Sequence, residues 1–170
     1  MHDNDERTKF FKTLTYANGY RELGMYAEAL EELDSLNEEQ QAKKEHFHAR
    51  LAVLIDAKRW KKALPFASRL ASIESNNPAN LVNLAFVVRR ANSLEGAQVI
   101  LENAERRFPN EAIIQYNLGC YNCCDEDLDT AKKHLKRAFE LDPSFLKTSA
   151  EDEDLKPLSD WLANIANNGS

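Results

Sequence analysis

The stretch Tyr116-Asn117-Leu118-Gly119, followed by Leu128, Ala131, Leu135, Ala138 and Leu141-Asp142-Pro143, decides the fold. Ala131 is the last of four alanines spaced 34 residues apart, at positions 29, 63, 97 and 131. Three residues before each stands Tyr26, Trp60, Leu94 or Leu128. Four residues after it stands Leu33, Ala67, Leu101 or Leu135, and seven after it Leu36, Leu70, Ala104 or Ala138. Offsets of three, four and seven share one face of an α-helix. The alanine is the small member of the face and admits a second helix at close range. A fixed period of this length predicts stacked repeats rather than one globular core.

A second apolar set lies upstream in each period, at Tyr16/Ala17/Tyr20, Leu51/Leu54, Leu84/Ala85/Val88 and Leu118/Gly119. Short polar stretches such as Cys124-Asp125-Glu126-Asp127 separate the two sets, so each period reads as helix, tight turn, helix. In this arrangement the chain resembles the tetratricopeptide repeat family. The segment quoted above carries the resemblance best, and Arg21-Glu22-Leu23-Gly24-Met25-Tyr26-Ala27-Glu28-Ala29-Leu30 is a second strong piece. The resemblance implies an all-α protein: an α-solenoid of four repeats at 10–43, 44–77, 78–111 and 112–145. Residues 1–9 are expected to be a flexible N-terminus, and 146–170 a capping helix and tail. Repeat two departs most from the pattern. It has Arg50-Leu51 where the family has Leu-Gly, and Pro65 falls inside its second helix, where it removes a hydrogen bond and predicts a bend.

Composition narrows the function classes. The formal charge of −6 argues against non-specific nucleic-acid binding. No apolar run approaches the ~20 residues of a membrane span. The opening residues lack the apolar stretch of a signal peptide, and three clustered cysteines suit a reducing compartment, so a cytoplasmic location is expected. Charge is uneven along the chain. Residues 1–43 hold five Lys/Arg against ten Asp/Glu, whereas 44–79 hold seven against three.

At the C-terminal end, Leu155, Leu158, Trp161/Leu162 and Ile165 fit one amphipathic helix. A repeat array needs such a cap with a polar outer side, and Trp161 is expected to pack on the last repeat. The stretch from Asp152 to Leu158 resembles the segment closing many bacterial repeat proteins, which implies a bacterial source.

The family resemblance implies that a partner lies in the concave groove lined by the first helix of each repeat. By register, the groove positions of interest are Arg21, His48, Val82, Asn83, Phe86, Arg89, Arg90, Tyr116 and Asn117. Phe86 and Tyr116 would anchor a peptide, and Arg89 and Arg90 would pair with its acidic groups; packing of the aromatics against a neighbouring helix is the alternative. One branch of the family grips a C-terminal carboxylate with a fixed set of lysine, asparagine and arginine side chains. At the matching positions this chain has Leu14, Asn18, Ala49, Ala79 and Asn83 in one window, and His48, Ala52, Asn83, Ile113 and Asn117 in the next. The lysines and the arginine are missing, so that clamp is not expected.

Two further clusters stand out. Cys120, Cys123 and Cys124 share one helical face, with His134 the nearest histidine in sequence. A soft metal or a redox role is conceivable there, but free cysteine more often packs as a small apolar residue, and no metal site is expected. Asp125, Glu126 and Asp127 alongside would raise the thiol pKa values. The basic run Lys58, Arg59, Trp60, Lys61 and Lys62 falls on a turn and a helix start, the unfavourable end for positive charge. That placement suggests an acidic partner, including the acidic first repeat of a second copy, against the simpler reading of a solvated turn. Glycine-rich phosphate loops, nucleophile elbows and His-Glu-x-x-His pairs are missing from the sequence, so an enzyme is not expected. No cofactor is expected. The sequence therefore predicts a non-catalytic scaffold that binds another protein or peptide in its groove. A self-associating homodimer and a metal- or redox-responsive scaffold are the alternatives.

Overall fold

The structure, a computed structural model, describes residues 2–91 and 93–168. It is all-α, and the described residues contain no strand. Four helix pairs carry the repeats: α1 (His2–Glu22) with α2 (Tyr26–Asp34), α4 (Lys44–Asp56) with α5 (Trp60–Ile73), α6 (Pro78–Ala91) with α7 (Leu94–Arg107), and α8 (Ala112–Cys124) with α9 (Leu128–Leu141). A one-turn helix, α3 (Glu38–Gln41), links the first two pairs and is closed by a reciprocal capping box between Asn37 and Gln40. Beyond α9 come α10 (Ser144–Ser149), a 3-10 helix (Glu153–Leu158) and α11 (Ser159–Asn168).

The periodic alanines explain the pairing. Ala29, Ala63, Ala97 and Ala131 are all fully buried, as are Leu33, Ala67, Leu101 and Leu135 one turn later. The chain forms two compact units, residues 1–75 and 76–170. In the first, Ala17, Ala29, Leu33 and Val53 form the core, with Leu14, Tyr20, Tyr26 and Leu30 packed around them. In the second, a larger core joins Leu101, Ile114, Leu118, Tyr121 and Leu135 to Leu155, Leu158 and Leu162 of the C-terminal region.

The turns inside the first, second and fourth pairs are each built on a left-handed residue. Gly24 has φ 74°, Lys58 φ 54° and Glu126 φ 64°, again at the 34-residue period. In each case the next N–H reaches back across the turn, from Met25 to the Tyr20 carbonyl, from Arg59 to Leu54 and from Asp127 to Asn122, at 2.8–3.0 Å. These are helix C-terminal caps of the Schellman kind. Only position 24 carries the glycine that such a turn favours. The second helices of repeats three and four start on a side-chain cap, Ser93 accepting from the Gly96 N–H and Asp127 from the Thr130 N–H, both at 3.1 Å. Those of repeats one and two start on Met25 and Arg59, which provide none.

Three regions singled out in the sequence take definite structure. Residues 2–9 are the first turns of α1, and Asp5 and Glu6 place negative charge near the helix N-terminus, where it is favourable. Pro65 lies inside α5, which continues to Ile73. The single capping helix is instead the sequence α10, 3-10 helix and α11. Pro157 sits inside the tighter 3-10 turn, and the regular helix begins only at Ser159. Trp161 does pack against the core of the second unit. Gly169 and Ser170 of the expected tail lie outside the described residues.

Candidate functional site

On the face shared by α6 and α8, side chains of both helices hold a later segment of the same chain. The segment 152–154 crosses this face with its side chains alternating. Glu151 and Glu153 point to solvent, while Asp152 and Asp154 turn inward. Arg89 of α6 meets Asp154 in a two-pronged ion pair: Nη1 donates to Oδ2, and Nη2 to Oδ1 at 2.8 Å. The fork of a guanidinium matches both carboxylate oxygens, so the contact is directional as well as charged. The Arg89 guanidinium also lies over the Tyr121 ring, 4.9 Å from its centroid. Tyr116 of α8 donates its hydroxyl to Asp152 Oδ2 at 2.7 Å, and the Cys120 thiol is 3.6 Å from the same oxygen. The other oxygen of Asp152 caps the 3-10 helix by accepting the Asp154 N–H at 3.0 Å. Phe145, at the start of α10, stacks on the Tyr116 ring with centroids 4.8 Å apart. Immediately after the acidic pair, Leu155 and Leu158 enter the core and are 1% and 3% exposed.

These contacts set the protonation behaviour of the site. The hydrogen bond from Arg89 holds the Asp154 carboxyl below its ordinary range, outweighing partial burial, and the same pair raises Arg89. Burial, aided by the bond to Asp152, pushes the Tyr116 hydroxyl far up. Burial likewise raises all three thiols, with the Asp154 carboxylate adding to it in each and Asp152 at Cys120 and Cys123; Cys124 is pushed up to about 11. The acids expected to raise the thiols, Asp125 to Asp127, are therefore not the main cause.

The other residues singled out in the sequence are distributed as follows. Val82 packs against the core of the second unit, and Asn83 is half-buried. Phe86 is half-buried, with the exposed Arg90 5.4 Å from its ring centroid. Asn117 turns back along its own helix to donate to the Ile113 carbonyl at 2.8 Å. In the first unit, Arg21 bonds Asp56 at 2.7 Å and Asn18 beside it. His48 bonds Glu74 at 2.6 Å, and Lys44 reaches the same carboxylate at 2.9 Å.

The basic run is divided by function within the turn. Lys58 is the left-handed residue, Arg59 the residue before α5, and Lys61 and Lys62 are exposed on its first turn. Arg59 and Lys62 help line an open pocket of about 460 Å³ between acidic Glu31/Asp34 and the Phe66 ring. Arg50 crosses this pocket to pair with Asp34.

Of the cysteines, Cys120 and Cys123 are buried and Cys124 is exposed, where its sulfur accepts from Arg89 Nη2 at 3.3 Å. His134 is engaged elsewhere, with Gln115 at 2.8 Å and Glu105 at 3.7 Å. Among the described residues, no group of three or more His, Cys, Asp or Glu is placed to hold a metal ion. Nor is any helix among them long and apolar enough to cross a membrane.

Sequence reasoning missed Asp152, Asp154 and Phe145 as members of the site. Their signal was present, as two acids spaced by one residue beside a leucine, but a spacing of two is read along the chain and does not reveal which distant arginine it meets.

No family model and no curated protein matches the chain. Solved structures do. The chain is similar to MamA from Desulfovibrio magneticus RS-1, residues 41 to the end, at 22% identity over 78% of this chain and 75% of that one, with a TM-score of 0.68. A double mutant of MamA RS-1 gives 22% identity, 78% and 74% coverage and a TM-score of 0.67. MamA MSR-1 gives 17%, 78% and 76%, with a TM-score of 0.63. At such identities the likeness concerns the fold alone, a tetratricopeptide-like helical repeat of the α-solenoid class.

Proposed function

We propose that the protein is a non-catalytic scaffold that binds a peptide segment of another protein on the inner helix faces of its repeats. The observation that carries this reading is the seat on α6 and α8. A short acidic segment is held there by side chains from two helices, through Arg89, Tyr116 and Cys120. A surface that orders one such segment has the apolar floor and directional donors that peptide recognition needs. Phe86 and Arg90 extend the same chemistry along α6.

Affinity capture from a lysate of the source organism tests the reading, comparing wild type with Phe86→Asp/Arg90→Glu that stays helical by circular dichroism. Partners held by wild type and lost by the variant are the expected result. Equal capture by both would refute an α6 contribution.

Self-association is a second reading, favoured by the first unit. Lys58, Arg59, Lys61 and Lys62 make no ion pair among the described residues, and α2 carries Glu28, Glu31 and Glu32. Light-scattering mass across a salt series tests it, a salt-sensitive dimer being the expected sign.

A further inference from the structure

We propose that the α6/α8 face is a receptor for an acidic segment of the pattern Asp-x-Asp-Leu-x-x-Leu, and that residues 152–158 are its resident occupant. A partner carrying the same pattern enters by exchange with that occupant. This rests on the scaffold reading above and names the chemistry of its ligand.

The specificity follows from four contacts. Arg89 forks onto the second aspartate, which demands a planar carboxylate with both oxygens free. Tyr116 donates to the first aspartate, and an amide or hydroxyl there leaves a weaker acceptor for a partly buried donor. One residue intervenes between the acids and faces solvent, as Glu153 does, so that position is unrestricted. The leucines at the following first and fourth positions join the core of the second unit beside α8, as Leu155 and Leu158 do. The charge complement is local. Arg89 and Arg90 are the cations contributed by α6, and the neighbouring turn of repeat four is acidic at Asp125, Glu126 and Asp127, so recognition depends on the fork rather than on a broad field.

The occupant is tethered, and tethering sets the terms of exchange. A segment joined to its site by a short connection faces an effective concentration in the millimolar range, so a free ligand competes at a disadvantage. Weakening the resident carboxylates while leaving its leucines in place lowers that disadvantage.

The test uses the full chain and a fluorescent peptide of residues 149–160, read by anisotropy. The host variant Asp152→Asn/Asp154→Asn is expected to bind the peptide at least about tenfold more tightly than wild type, because its own segment has lost the charged contacts. Adding Arg89→Gln to that host is expected to reduce binding about tenfold, and a peptide with asparagine at both acidic positions to bind about tenfold more weakly. Three results overturn the proposal: no binding to the host variant at about 1 mM peptide, equal affinity for the acidic and the asparagine peptides, or indifference to Arg89→Gln. Should the host variant fail to fold, hydrogen exchange on wild type decides. Excess peptide is expected to speed exchange of the amides of residues 152–158, and unchanged exchange would make the segment a permanent cap. If the peptide fails while partner capture still depends on Phe86 and Arg90, the scaffold reading stands and this inference falls.

Discussion

Replacing Gly119 with alanine should destabilise the second unit, against the usual direction of a glycine-to-alanine change inside a helix. In an unhindered helix interior, alanine is favoured over glycine by about 0.5–1 kcal/mol. At position 119 the new methyl carbon would stand 2.6 Å from Leu135 Cγ, 2.7 Å from its Cδ2 and 3.3 Å from the Ala131 carbonyl oxygen. Leu135 is fully buried, so it cannot swing to solvent, and the carbonyl belongs to the backbone of α9. Relief requires α8 and α9 to part or Leu135 to leave its rotamer, an overpacking cost of about 1–3 kcal/mol. The net expectation is a loss of about 1–2 kcal/mol, a fall in melting temperature of roughly 2–8 °C for a protein of this size. Gly19 is the control. It lies inside α1 with nothing within 4 Å of its would-be methyl, so Gly19→Ala should stabilise by about 0.5–1 kcal/mol. Urea unfolding followed by circular dichroism measures both, and a double-mutant cycle isolates the cause. In a Leu135→Ala background, Gly119→Ala should become neutral or favourable. A Gly119→Ala protein as stable as wild type would refute the packing argument, and so would an undiminished loss in the Leu135→Ala background.

Lys58→Gly and Glu126→Gly should each stabilise by up to about 1 kcal/mol in the same assay, because both residues hold a left-handed backbone. Arg59→Asp should add the cap that α5 lacks and reverse the charge at its N-terminus, a gain of about 0.5–1 kcal/mol in thermal unfolding. For pH, the folded pKa of Asp154 is depressed, so its contribution is fully present above the unfolded value near 4 and is lost as pH falls through the folded value. Wild type and Asp154→Asn should therefore differ most in stability at neutral pH and converge in acid titrations below about pH 4. Alkylation of Cys124 at pH 8 should run at least about tenfold slower than that of a free thiol, because its raised pKa leaves little thiolate. Mass-resolved labelling kinetics check this, with Cys120 and Cys123 slower still because they are buried.

The repeats were legible because they rest on local chemistry repeated at a fixed interval. Ala97, Leu101 and Ala104 declare one helix face without reference to anything distant, and all three are at most 1% exposed. The start of α1 was less legible. The polar residues from His2 to Thr8 lack apolar periodicity, while helix propagation from the well-formed turns after Phe10 and the acidic N-terminus extend the helix through them. The turns were legible only in part. Gly24 announces a left-handed residue, whereas Lys58 and Glu126 occupy the same position without any compositional sign, because the flanking helices impose the conformation. Register alone singles out Arg89 and Tyr116 on the first helices of their repeats, α6 and α8. Their engagement with Asp154 and Asp152 depends on where a C-terminal segment returns, 65 and 36 residues further along the chain.

Under the exchange proposed above, that return changes what the second unit offers a partner. An empty inner face would be open to any peptide able to cover its apolar side chains, with little discrimination among them. Here Leu155 and Leu158 are already buried, each contributing about 1.5–3 kcal/mol, and the acidic pair ahead of them holds Arg89 and Tyr116. A competitor must replace both kinds of contact at once. An acidic peptide without the leucines leaves a cavity beneath it, and an apolar peptide without the acids leaves a partly buried guanidinium unpaired. Selectivity then comes from the requirement to match the occupant in charge and in apolar spacing together. The opposing demand is visible in the same residues, since the leucines that make the face selective also slow any exchange by joining the resident segment to the core.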